Sequence, residues 1–240
     1  MVLADDSEND RVLLYNCVDG DKPLKFVQAI PVEGRPHFVT YDKYSNLFFV
    51  LSSSTGDIVG IEVVNDTARV VLKRRPAAIS YARSITLMDG LMFLPSCDGI
   101  IYKIDYRNTF KIIDSYQVSD DMAGLNQIVK IGNYYYLTVY HGKGFDLSKP
   151  SKIIRAKEVK DFTNNKYEDI TKELRIKGTP YFITPVENKF FLTEIDAVSG
   201  IVSFTVENDV ICGVEHIHQW NEVYDVSKKR KEEVWRDKDF

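Results

Sequence analysis

The stretch Asn46 to Val63, NLFFVLSSSTGDIVGIEV, reads turn, aromatic strand, small-residue turn, alternating strand, and the chain writes the same phrase three more times. Its counterparts are GLMFLPSCDGIIYKID from Gly90, NYYYLTVY from Asn133 with SKIIRAKE from Ser151, and NKFFLTEIDAVSGIVSF from Asn188. Their central aromatics, Phe49, Phe93, Tyr136 and Phe191, recur at steps of 44, 43 and 55 residues. A period of that size filled with strands implies an all-β chain, a β-propeller of four-stranded antiparallel blades.

Working outward from Asn46, HFVTYD at His37 to Asp42 is the strand before it and ARVVLKR at Ala68 to Arg74 the one that closes the unit. Thr55-Gly56 supplies the tight turn between aromatic and alternating strands, where glycine takes positive φ at little cost. The same punctuation returns as Asp98-Gly99 and Ser199-Gly200. The third unit replaces it with HGKGFDLSKPSK and adds EVKDFTNNKYEDITKELRIKG, in which EDITKEL reads as a short helical turn. These insertions lengthen the last step, and irregular loops on a rigid scaffold are where function concentrates.

Before the first unit, RVLLYNCV and LKFVQAIPV flank Asp19-Gly20-Asp21-Lys22 and read as an N-terminal hairpin. The reading is therefore four full blades plus that hairpin, a five-bladed arrangement with an incomplete closing blade. Closure by four blades with an extra hairpin, or with a strand from a second copy, remains open. The acidic start, residues 1–10, reads as disordered, residues 11–220 as one propeller domain, and residues 221–240, with KKRK at Lys228 to Lys231, as a charged tail.

Composition bounds the function. The 14 Tyr and 13 Phe suit pleated, half-buried surfaces. A net charge of −4 argues against a generally basic face for nucleic acid. Cys17, Cys97 and Cys212 stand singly, with no CxxC pair for a structural metal site or a disulfide framework. The N-terminus lacks the apolar core of a secretory signal and no stretch has the length of a membrane span. A cytoplasmic protein is the expectation, or an extracellular one if the chain is a domain cut from a larger protein.

The blade rhythm over Val12 to Trp220 resembles the β-propeller repeat superfamily, and within it the six-bladed lactonase and NHL-like group. In the calcium-dependent lactonases of that group, a Glu-Gly opening a blade and asparagines opening later inner strands hold the metal on the axis. Glu33-Gly34 and Asn126 match in kind, whereas the group's aspartate-bearing motif and its further asparagine have no counterpart here. The resemblance implies the fold and assigns no metal ligand.

Inner strands of a propeller converge on its axis. Aligning the four units places His37, Arg83, Asn126 and Tyr181 at the strand beginnings, with Gln127 and Thr179 beside them. An imidazole, a guanidinium fork, carboxamides, a hydroxyl and a phenol at one mouth would suit a small anionic or polyhydroxylated ligand. The same groups also serve simply to bond water and backbone in a wet channel.

Weaker features were weighed beside these. His216 and His218, two apart on a strand, would share a face and form half a metal site. HGKG at His141 lacks the spacing and following Ser/Thr of a phosphate loop. Glu194 and Asp196 could join Asp57 or Asp98 as paired acids, or cap turns.

The expected function is a non-catalytic recognition module for a small polar or anionic ligand or glycan at the axial mouth, with no cofactor, no metal and no catalytic residue called for by the sequence. A lactonase-like or glycan-cleaving hydrolase and a protein-interaction scaffold are the alternatives. Tyr140, Phe145 and Tyr167 around the third-unit insertion would serve a glycan or a protein partner alike.

Overall fold

A computed structural model describes residues 2–16, 24–76, 79, 81–118, 124–140, 150–195 and 199–220. All of its regular structure is strand apart from short 3-10 turns, and the fold is a β-propeller of four-stranded antiparallel blades. Among the described residues no helix is long and apolar enough to cross a membrane.

The first sheet contains β1 (Val2–Asp6), β2 (Arg11–Asn16) and β3 (Lys25–Pro31). Blade 1 is β4 (Pro36–Asp42), β5 (Leu47–Ser52), β6 (Ile58–Val64) and β7 (Thr67–Arg74); blade 2 is β8 (Thr86–Met88), β9 (Leu91–Pro95), β10 (Ile100–Asp105) and β11 (Lys111–Gln117). Blade 3 is β12 (Leu125–Ile131), β13 (Tyr134–Val139), β14 (Lys152–Ala156) and β15 (Glu168–Asp169), and blade 4 is β16 (Thr179–Val186), β17 (Lys189–Ile195), β18 (Ser199–Glu207) and β19 (Val210–Trp220). Every sheet runs in sequence order, so each strand pairs with its chain neighbour.

The chain divides into two compact units, Met1–Ile170 and Thr171–Phe240. The first holds the N-terminal sheet and blades 1 to 3, the second blade 4.

In the first unit the run FFVL is continuously apolar because both faces of the strand are covered. Phe49 and Leu51 pack toward blade 2 with Met92, Leu94, Ile104 and Tyr106, while Val50 packs toward the N-terminal sheet with Val12, Leu14 and Ile30. A third layer joins Phe93 and Ile101 to Leu125, Leu137, Ile154 and Phe162 of blade 3. The sheets are therefore held chiefly by apolar burial between their faces, with polar ties added: Gln28 of β3 donates to the Ala68 carbonyl at 3.0 Å and accepts from its N–H at 2.9 Å.

Several local expectations change. Residues 2–6, expected to be without order, form β1 and pair in register with β2, so the N-terminal element is a three-stranded sheet. Glu168–Asp169 of EDITKEL are a short outer strand, β15, bonded to Ile154 and Arg155; the 3-10 turn lies earlier, at Val159–Phe162, where Val159 and Phe162 are buried. Ser199-Gly200, expected as a turn, belongs to β18, and 196–198 lie outside the described residues. The expected tail over 221–240 and the HGKG loop also lie outside them. Gly56 and Gly99 do take positive φ, +71° and +77°. A β-carbon on Gly56 would also stand 2.8 Å from the Ile79 carbonyl oxygen.

Candidate ligand-binding site

Three of the residues expected at the inner-strand beginnings sit at breaks in strand pairing. In β4, Pro36 pairs with Ser52 and Phe38 with Leu51, leaving His37 as an extra residue. In β12, Leu125 pairs with Val139 and Gln127 with Thr138, leaving Asn126 extra. In β16 the register slips between Pro180 and Ile183, so Tyr181 and Phe182 stand opposite Thr193 alone. A bulge of this kind re-aims a side chain that regular pleating would send to a sheet face.

Arg83 occupies the corresponding stretch of blade 2, between the isolated bridge Ala82 to Ser96 and the first pair of β8, with its N–H bonded to the Pro95 carbonyl at 2.9 Å. The threonine two residues beyond the blade aromatic fixes the bulge in the last two blades. Thr138 Oγ1 accepts from Gln127 N–H at 3.1 Å, and Thr193 Oγ1 accepts from Phe182 N–H at 3.1 Å.

Within the first unit these positions meet. Arg83 Nε donates to Asn126 Oδ1 at 3.4 Å, and the next residue, Ser84, donates its hydroxyl to the Asn126 carbonyl at 2.7 Å. Thr86 Oγ1 repeats the second bond on the Ile128 carbonyl. Blade 2 thus grips the start of β12 by side chain and backbone. Asn126 is 1% exposed, and its Nδ2 has no hydrogen-bond partner. Such a buried orphan donor costs about 1 to 3 kcal/mol until an acceptor reaches it.

His37 is half-buried, and its pKa falls from 6.5 to about 4 through burial first, then the charges of Arg83 and Arg35. At neutral pH it is an uncharged donor and acceptor next to a cation. Cys97 is close enough to feel Arg83, but burial dominates and raises its thiol pKa, so the sulfur stays protonated. Gln127 is buried beside Asn126. Arg35 and Cys97 were not among the positions expected there; Cys97 comes near Arg83 through pairing within blade 2, its N–H bonded to the Tyr81 carbonyl at 3.1 Å.

The second unit holds Thr179, buried at 6% exposure, and Tyr181, half-buried with its ring 4.3 Å from that of Phe182. They take the corresponding positions in their own blade.

The carboxylates expected as a pair are otherwise engaged. Asp57 accepts two bonds from Arg75, at 2.7 and 3.0 Å, lies 3.4 Å from Lys73, and is held below the usual carboxylate range chiefly by Arg75. Glu194 Oε1 accepts from the N–H groups of Lys177 and Gly178 at 2.6 and 2.8 Å, which closes the loop leading into β16; the Asp196 position is outside the described residues.

β19 is bulged between the two histidines: His216 pairs with Val202 and His218 with Ile201, successive residues of β18, so the regular alternation on which a shared face was expected is interrupted there. The His218 side chain is outside the described residues. His216 is not a solvated outer residue; its Nδ1 lies 3.8 Å from Glu194 Oε2.

Glu33 and Asn126 do not fit a shared calcium. The Glu33 side chain is 84% exposed and paired with Lys73, and the Asn126 oxygen that would bind a metal already accepts from the guanidinium of Arg83. Of the third-unit aromatics, Tyr167 packs on the apolar layer of blade 3, Tyr140 is half-buried, and Phe145 lies outside the described residues.

No protein-family model matches the chain, and no curated protein sequence does. Solved structures resemble it. A "putative 6-phosphogluconolactonase" of Bacteroides fragilis aligns at 12% identity and a TM-score of 0.61, over 91% of this chain and 67% of its own. A protein of the same description from Bacteroides uniformis aligns at 14% and 0.56, over 91% and 69%. Hydrazine synthase of Kuenenia stuttgartiensis aligns at 12% and 0.57, over 83% and 60%. At such identities the shared property is the fold.

Proposed function

We propose that this propeller is a non-catalytic recognition module for a small polar or anionic ligand, such as a sugar acid or glycan, bound at the inner-strand bulges. The observation that carries the reading is the meeting of His37, Arg83 and Asn126, one of them a permanent cation and one with an unsatisfied buried donor. Donors outnumber acceptors in that set, so the complementary ligand is rich in acceptor oxygens. Arg83 provides the charge, Asn126 Nδ2 a directional bond, and neutral His37 a donor or acceptor, with Gln127 flanking. Thr179 and Tyr181 take the same role within their own blade.

The test is titration calorimetry against sugar acids, phosphosugars and neutral oligosaccharides. Arg83→Ala is expected to lose about 2 to 5 kcal/mol of affinity for the anionic members. Binding that survives Arg83→Ala intact sinks the assignment.

A second reading, a hydrolase acting on a sugar lactone, draws on the description of the two Bacteroides proteins. A His37 pKa near 4 makes that imidazole a weak base at neutral pH, which favours binding over proton abstraction. Turnover of 6-phosphogluconolactone that disappears in His37→Gln and Arg83→Ala would establish the hydrolase instead.

A further inference from the structure

At the opposite end of β4 from His37, a cavity of about 460 Å³ opens between blades 1 and 2 of the first unit. Its volume falls within the range of small-molecule sites. The floor is aromatic. Phe49 and Tyr106 meet edge to face at 5.5 Å, and Phe110 lies 6.2 and 6.4 Å from them.

Phe110 reaches that position at a cost, because its φ is +55°, in the left-handed region that bulky residues rarely enter. The turn from β10 to β11 holds it there, its N–H bonded to the Asp105 carbonyl at 2.8 Å. Backbone strain of this sort gathers at ligand sites, where the surrounding structure fixes a side chain in a required place.

Arg107 stands at the wall. Its guanidinium carbon lies 4.1 Å from the centroid of Tyr44 and 5.6 Å from that of Tyr106, and its Nε donates to the Tyr106 hydroxyl at 3.3 Å. No ion pair engages it among the described residues. The fork is thus held against the two rings, with the buried carboxylate of Asp42 as the opposite charge near it. Close beside it, a β-carbon on Gly90 would approach Nη1 to 3.2 Å, so glycine there leaves the guanidinium its room.

The carboxylate among the lining residues, Asp42, is only 3% exposed. It is taken up by Tyr44 N–H and Ser45 N–H, each at 3.2 Å, and by the Ser45 hydroxyl at 2.7 Å. It stays an anion, so an incoming carboxylate is favoured only because the cations of the lining outnumber it. Arg74 lines the same cavity and adds a second cation.

We infer that this cleft binds a small, flat aromatic carboxylate, its ring on Phe49, Tyr106 and Phe110 and its carboxylate on the fork of Arg107. Aromatic faces accept a planar ring, and a guanidinium engages a carboxylate through two parallel bonds. The site is separate from the inner-strand bulges and stands whether or not they bind a ligand.

Titration calorimetry with 2-naphthoate, and with neutral 2-naphthamide as its uncharged counterpart, tests this on the full chain. Wild type is expected to bind 2-naphthoate at least tenfold more tightly than the amide. Arg107→Gln should remove that preference, and Arg69→Gln, at an exposed arginine paired with Glu62, should leave it unchanged. The comparison of the two probes on wild type needs no variant to fold. Equal binding of both probes, no binding of either, or a preference lost in Arg69→Gln but kept in Arg107→Gln would each overturn the proposal.

Discussion

At His37, burial and the guanidiniums of Arg83 and Arg35 act in one direction, each making the imidazolium less favourable. The folded state therefore binds fewer protons than the unfolded chain between pH 6.5 and 4. Stability supported by neutral His37 is fully present above pH 6.5 and is lost as pH falls through that window. Because the ring is only partly buried, solvent screening reduces the effect to about 1 to 2 kcal/mol. Urea midpoints measured at pH 7 and pH 4.5 should show His37→Gln losing less stability on acidification than wild type. An equal loss in both would place the acid sensitivity elsewhere. Arg83 and Asn126 could be singled out as residue types from the sequence. That Asn126 keeps an orphan amide could not, since satisfaction depends on every atom packed around it.

The elements carry two local devices. The turns from β6 to β7 and from β18 to β19 are both Asn-Asp, Asn65-Asp66 and Asn208-Asp209, with positive φ at all four residues. A two-residue hairpin loop of that handedness matches the twist of the strands, and Asn and Asp tolerate it. At Asn65 this turn stands within what reads in sequence as a glycosylation triplet. The second device is the threonine at the β12 and β16 bulges. Thr138 spans the β12 bulge by accepting from Gln127 N–H and donating to its carbonyl at 3.4 Å. Thr138→Val keeps the shape and removes the acceptor, so it should destabilise by about 1 to 3 kcal/mol. A lower midpoint with an unchanged denaturant slope is the expected result. No change would mean that the bulge holds without the hydroxyl. Bulges also explain what was hidden in the sequence: alternation by two cannot reveal an inserted residue, which is why His216 and His218 read as sharing one face.

Across the whole molecule, the blade aromatics keep equivalent register on the second strand of their sheets: Phe49 faces Gly60, Phe93 faces Lys103, Tyr136 faces Arg155 and Phe191 faces Ser203. Their burial is not equivalent. Phe49, Phe93 and Tyr136 are 2%, 4% and 0% exposed, whereas Phe191 is half-buried. Phe93→Ala should therefore cost about 3 to 5 kcal/mol and Phe191→Ala less, measured by chemical denaturation. Equal costs would deny the difference in packing. The sequence by itself determined the repeat and its aromatic strands, and marked His37, Arg83, Asn126 and Tyr181 as positions to compare, because pleating and turn chemistry are local and recur with the period. Only the tertiary structure decided which of those positions meet. The bond from Arg83 to Asn126 spans 43 residues, the depressed pKa of His37 comes first from burial and then from the charges of Arg83 and Arg35, and Phe110 reaches Phe49 only because blade 2 packs on blade 1. Burial and electrostatics are sums over everything nearby in space, and a period in the chain does not contain them.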